Sequence, residues 1–129
     1  SASTAEALMR SRYSAFVAAD GEYLARTLHP EHPDASMPAE ELARALRSAA
    51  QGSRFLGLTI LATDAEGDRA WVAFHAKVFT RGVDRSFLER SEFRRHGGEL
   101  LYVGGELSPH PARAPLPAGI SPRPASLQR

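Results

Sequence analysis

The hydrophobic period of this chain changes once, at Gly52, from that of helices to that of strands. Elements that come as helices first and strands afterwards do not interleave into a parallel sheet. They segregate, and the fold class is α+β. Upstream of Gly52, Ser3 and Glu6 match a capping box. Ala5, Leu8, Met9, Arg12, Tyr13, Phe16 and Val17 then recur at i, i+3, i+4 spacing on one helical face. Asp20-Gly21 breaks that pattern and caps a second helix, in which Tyr23, Leu24 and Leu28 share a face until His29-Pro30 ends it. Glu31 to Met37 is a proline-containing loop. A third helix follows from Pro38 to Ala50, with Leu42, Ala43, Leu46 and Ala50 inward and Gly52 as its stop.

Beyond Gly52 the period is two. Leu56, Leu58 and Ile60 alternate with Phe55, Gly57 and Thr59. After a turn cluster at residues 64–68, Ala70, Val72, Phe74, Ala76 and Val78 alternate with Trp71, Ala73, His75, Lys77 and Phe79. Arg81-Gly82 reverses the chain, and Phe87, Glu89, Ser91 and Phe93 oppose Leu88, Arg90, Glu92 and Arg94. Gly97-Gly98 suits a tight hairpin, and a last strand from about Glu99 to Leu107 sets Leu100 and Tyr102 against Leu101 and Val103. Four strands joined by short turns make an antiparallel meander. Three N-terminal helices must then cover one face of a curved four-stranded sheet. A sheet wrapped around the first helix gives a cone with an opening at one end.

Composition narrows the partners. A chain of 129 residues holds one domain with one modest core. Sixteen basic against fifteen acidic residues give a net charge of +1, far from the basic excess of proteins that track nucleic-acid phosphates. No apolar run approaches the roughly 20 residues of a membrane span. With no cysteine, neither a disulfide framework nor a thiolate metal site can form. The chain opens on Ser1, with no secretory-leader pattern, and is read as processed or cropped. Six of its nine prolines lie beyond residue 108, and no acidic residue follows Glu106. Residues 108–129 therefore read as a basic, proline-rich tail, extended or disordered, appended to a slightly acidic domain at 1–107.

Several side chains could carry chemistry. Arg12 lies in the middle of an apolar helix face, where a guanidinium needs a carboxylate or carbonyl partner. Glu89 alternates with Phe87 and Phe93 toward the core and is the obvious partner. An Arg12–Glu89 pair locks the first helix to the sheet; alternatively the two groups line a pocket, with Arg12 holding an anion. Tyr13 either packs or turns its hydroxyl into the same cavity. His29 either serves the end of the second helix electrostatically or acts as a base from a pocket-facing position. His75, between Trp71 and Phe79 on one strand face, reads as a hydrogen-bonded histidine. Among the histidines only His29 and His32 are close in sequence, so no metal signature is present. Gly97-Gly98 and Gly104-Gly105 have no following helix and are turn glycines, not phosphate cradles, and no cofactor is implied.

The run Thr4-Ala-Glu-Ala-Leu-Met-Arg-Ser-Arg-Tyr-Ser-Ala-Phe-Val17 closely resembles the opening of the middle domain of the YchJ family of uncharacterised bacterial proteins. Tyr23-Leu24, Thr27-Leu28-His29-Pro30, Phe55-Leu56-Gly57-Leu58-Thr59-Ile60, Leu88-Glu89-Arg90-Ser91-Glu92-Phe93 and Leu101-Tyr102-Val103-Gly104-Gly105 resemble that family's later motifs, in order. The match covers roughly residues 3–107. Ala73 stands where the family pattern has Glu, Leu28 and Phe55 where it has Trp, and Gly104 where it has Asp. The resemblance implies a nuclear transport factor 2-like cone in a bacterial cytoplasmic protein of unknown activity. It also implies neighbouring cysteine-rich, zinc-binding SEC-C segments, of which this chain has none.

Two functions follow. In the first, the domain is non-catalytic or accessory: its cone holds a small, anionic molecule, or its sheet forms a homodimer. In the second, it is a small-molecule lyase or isomerase, with Glu89 taking a proton and Tyr13 or His29 stabilising the oxyanion. An ion pair with Arg12 would depress the pKa of Glu89 and make it a poor base, which favours the first.

Overall fold

The computed structural model describes residues 4–127. Three helices, α1 (Ala5–Val17), α2 (Gly21–Arg26) and α3 (Ala39–Gln51), precede β1 (Arg54–Glu66), β2 (Arg69–Thr80), β3 (Val83–Asp84), β4 (Phe87–His96) and β5 (Glu99–Pro109). The sheet is antiparallel in the order β1-β2-β4-β5, and the two-residue β3 pairs only with β2. The meander thus gains one short strand over the four expected, because the reversal at Arg81-Gly82 closes tightly enough for Val83 to pair back onto Thr80.

The cap of α1 is Thr4, whose hydroxyl accepts from the Ala7 amide at 3.1 Å. Ser3, expected in that role, lies outside the described residues, and Glu6 pairs with Arg10 one turn on. Val17 is exposed and Ala15 is buried. At about 100° per residue, seven positions span more arc than one face can bury, and Val17 falls off its edge. Asp20 caps α2 as expected, accepting from the Tyr23 amide at 3.1 Å. The loop after α2 contains one 3₁₀ turn at Pro33–Ser36.

The core lies between α1 and the concave face of the sheet. Ala70, Val72, Phe74, Ala76 and Val78 all face it from β2, with Phe93 and Leu100 from β4 and β5. In β1 a bulge at Leu56 shifts the register, so Phe55 joins Leu58 and Ile60 on the core side while Leu56 is exposed. Simple alternation puts Leu56 on the same face as Leu58 and Ile60; one inserted residue reverses every side chain before it. Gly97 and Gly98 both take positive φ in the β4–β5 hairpin.

The convex face is covered by the tail. Pairing continues past Leu107 to Pro109, at the end of an edge strand where a missing amide costs no ladder bond. The described residues beyond it reach Trp71 and His75, which are buried, as is Ala73 between them on the strand. The Arg123 guanidinium stacks on Trp71 at 4.2 Å and pairs with Asp64 and Glu66. His75 Nε2 meets the His110 carbonyl at 3.0 Å, Arg90 donates to the Ser121 carbonyl, and the Ala112 and Ala125 amides donate to Asp84 and Glu106. No helix among the described residues is long and apolar enough to cross a membrane.

Candidate functional site

A chamber of about 380 Å³ lies inside the cone, between α1, the end of α3 and the concave face of the sheet. Exposed Ala49 and Leu107 mark its mouth. Its walls are mostly apolar, including Met9, Phe16, Phe55, Phe74, Val78 and Phe87, and buried Arg12 and Glu89 with half-buried Tyr102 bring polar groups into it. Two larger clefts, about 590 and 910 Å³, are more open surface features without such a cluster.

Arg12 comes from the middle of α1 and is 4% exposed. Its Nη1 donates to the Leu24 carbonyl at 2.9 Å and to Thr27 Oγ1 at 2.5 Å. The Thr27 hydroxyl in turn donates to the Tyr23 carbonyl. The guanidinium lies over the Tyr102 ring at 4.7 Å. The expected Arg12–Glu89 ion pair does not form: no carboxylate among the described residues pairs with Arg12. Arg12 is held instead by the carbonyl end of α2 and by an aromatic face.

Glu89, 7% exposed, accepts on Oε2 from the Tyr102 hydroxyl at 2.5 Å and the Ser91 hydroxyl at 2.6 Å. Burial pushes its carboxyl above the usual range, and the two hydroxyls and the field of Arg12 only partly offset this. That is opposite to the depression expected of an ion-paired carboxylate. Burial, reinforced by Glu89, likewise drives the Tyr102 hydroxyl well above the tyrosine range, so it remains a donor. Burial also lowers the Arg12 pKa, against the fields of Tyr102 and Glu89.

A β-bulge builds this cluster. The hairpin pairs Phe93 with Tyr102, but Glu92 pairs with Gly104, leaving Val103 as the extra residue. Beyond it Gly105 and Leu107 face inward opposite Ser91 and Glu89, and Glu106 turns out beneath the tail. A Cβ on Gly105 would sit 2.5 Å from Glu89 Oε2, so the carboxyl occupies space that only glycine leaves. Tyr102 is fixed at its backbone too: its amide donates to the Thr27 carbonyl and its carbonyl accepts from the His29 amide. The turn that holds Arg12 is thereby pinned to the strand that carries Tyr102.

Of the residues expected at the site, Arg12, Glu89 and Tyr13 line the chamber. The Tyr13 ring sits edge-on to Phe55, and burial raises its hydroxyl pKa. His29 is not in the chamber lining. It is buried elsewhere, with Nδ1 accepting from the Glu31 amide and its ring against His96, and burial lowers its pKa. Tyr102, Ser91 and Thr27 complete the cluster and were not singled out from sequence. The available signal was an inward tyrosine two residues from Leu100, on the strand next to that of Glu89. No group of side chains suited to hold a metal occurs among the described residues.

The family model of the YchJ middle domain, nuclear transport factor 2-like, matches residues 4–105. The YchJ protein of Shigella dysenteriae is 34% identical over 117 residues, spanning 88% of this chain and 73% of that protein. A SEC-C motif-containing protein from Rhodopseudomonas palustris, solved in solution, is 35% identical with a TM-score of 0.69, covering 80% of this chain and 77% of that one. A second such protein, from Psychrobacter arcticus, is 25% identical with a TM-score of 0.58, over 91% of this chain and 64% of that one.

Proposed function

The chain belongs to the YchJ family through that family's nuclear transport factor 2-like middle domain, and from that premise we propose that its cone is a non-catalytic binding chamber for a small, largely apolar molecule. The observation that carries this reading is an apolar chamber of about 380 Å³ in which half-buried Tyr102 links the buried Arg12 and Glu89. Ligand pockets combine apolar walls with a few convergent polar groups in this way. At protein packing density the volume suits a ligand on the order of a dozen non-hydrogen atoms.

A second reading keeps the chamber and adds acid–base chemistry. Its support is the raised pKa of Glu89, since a carboxyl above its ordinary range is a stronger base than a free carboxylate. Against it stands the hydroxyl geometry. The Tyr13 hydroxyl expected to stabilise an oxyanion is engaged by the Gly57 backbone, His29 lies away from the chamber, and Glu89 Oε2 already accepts from Tyr102 and Ser91. Binding without turnover accounts for all three groups.

Titration of the ¹⁵N-labelled chain with 1-octanol tests the reading. Saturable amide shifts are expected at chamber-lining residues, and Ala49→Trp, a change at an exposed position on the mouth, should abolish them. Shifts that do not saturate, or that map to the outer surface, would overturn it.

A further inference from the structure

We propose that the ligand of this chamber is a monocarboxylic acid with an apolar body, held by Arg12, and that Glu89 carries a proton while it is bound. This inference rests on the chamber being a binding site and names the class of molecule it takes. Its starting point is the unpaired charge of Arg12. The guanidinium is 4% exposed and lines the chamber, yet only neutral acceptors and an aromatic ring hold it. A buried cation without an anion is a standing cost, and an anion delivered into the chamber relieves it.

The kind of anion follows from the fork and the walls. A planar guanidinium matches a planar carboxylate through paired N–H donors. One cation compensates one negative charge, and Met9, Phe55, Phe74 and Phe87 offer nothing to solvate a second. A phosphate dianion is thus excluded by charge, and an acid without an apolar body by the walls.

Glu89 decides the proton. The charged and titratable groups that face it are Arg12 and Tyr13 of α1 and Tyr102 of β5, with the Ser91 hydroxyl on its own strand. Tyr102 also has the His32 ring on it at 5.6 Å. When a ligand carboxylate arrives, two carboxyl groups share one cation in an apolar enclosure, and one of them must keep a proton. Glu89 is already biased toward its neutral form by burial, whereas a ligand carboxylate paired with the Arg12 guanidinium is favoured in its charged form. Affinity therefore falls as pH rises through the range where free Glu89 ionises.

Calorimetric titration of the full chain with octanoate, 1-octanol and octylamine, from just above the ordinary carboxyl value of about 4.5 upward through the range in which the chain stays folded, separates the possibilities. Octanoate is expected to bind at least about tenfold more tightly than 1-octanol, with octylamine weakest. Octanoate affinity should decline with pH in the wild type and be flat in Glu89→Gln, which should bind octanoate more tightly than wild type at the upper end. Gln still accepts from Tyr102 and Ser91, so that variant tests the charge without removing the cluster. If 1-octanol binds as tightly as octanoate, or octylamine binds best, the carboxylate assignment is overturned while the chamber survives. A pH profile identical in wild type and Glu89→Gln overturns the proton linkage. If none of the three binds, the chamber reading itself falls.

Discussion

Tyr102 changes what Arg12 and Glu89 are. From sequence the two charges face each other, and the natural inference is a lock between α1 and the sheet. In the fold an aromatic ring with a hydroxyl tip stands between them, stacking on the cation and donating to the acid. Glu89 therefore contributes to stability with the opposite sign from an ion-paired carboxylate. Its pKa is raised in the folded state, so its favourable contribution is complete below the unfolded carboxyl value of about 4.5 and is lost as pH rises through the folded value. Glu89→Gln should accordingly hold the neutral-pH Tm within a few degrees of wild type and flatten the decline above the ordinary carboxyl range. Glu89→Leu should lose about 1–3 kcal/mol for each hydroxyl left unpaired. Thermal melts across pH check both, and a sharp loss of stability in Glu89→Gln would mean a structural ion pair after all. Arg12 and Glu89 were legible because a charge on an apolar stripe stands out. Their mutual arrangement was not, because it depends on the bulge at Val103. Strict alternation would have turned Glu106 inward opposite Glu89, and nothing in the residues themselves announces the extra one.

Elements show the same division. Each helix and long strand is written in local periodicity, and the boundaries fall close to the capping residues. What periodicity does not contain is how elements meet. Gly21 reads as a helix-start residue, yet a Cβ there would lie 2.0 Å from the Ala43 carbonyl oxygen, so α2 and α3 touch backbone to backbone at this point. Gly21→Ala should destabilise by about 1–3 kcal/mol or more, seen as a lower Tm, because neither backbone can move without dragging its helix. The tail offers a second case. Its prolines argue against strand and helix, but Arg123 and the Ala112 and Ala125 amides find carboxylates of the sheet. Two of those are acid-sensitive in a defined direction. Ser86 and the Ala112 amide hold Asp84 down to about 2, and Arg123 with the Ala65 amide lowers Asp64. Their support is whole above pH 3.8, the unfolded value, and for Asp84 is lost as pH falls through about 2. Trp71, the single tryptophan, lies under the tail and reports its release. Acidification through that window, or removal of residues 110–129, should red-shift its emission. Asp84→Asn should move the acid transition to higher pH, and an unchanged spectrum after truncation would show that the tail does not shield Trp71.

The whole molecule is a core with a space left in it. A domain of this size has little burial to spare, and apolar walls that face a chamber forgo packing that neighbouring side chains could supply. Ala76 is the position where that compromise is most exposed to experiment. It points inward from the middle of β2, is buried, and lines the chamber beside Phe74 and Val78. A larger apolar residue there would extend into existing space without displacing its strand. If the chamber is kept open for a ligand, Ala76→Leu should raise stability by about 0.5–2 kcal/mol while weakening or abolishing binding of the eight-carbon probes. Denaturant unfolding and the NMR titration, run on the same variant, measure the two effects independently. Lower stability would mean that the walls are already close-packed and that the space is not available to any ligand. Higher stability with binding intact would put the bound molecule somewhere other than the cone. Only the combination of gained stability and lost binding identifies the chamber as space withheld from the core for function.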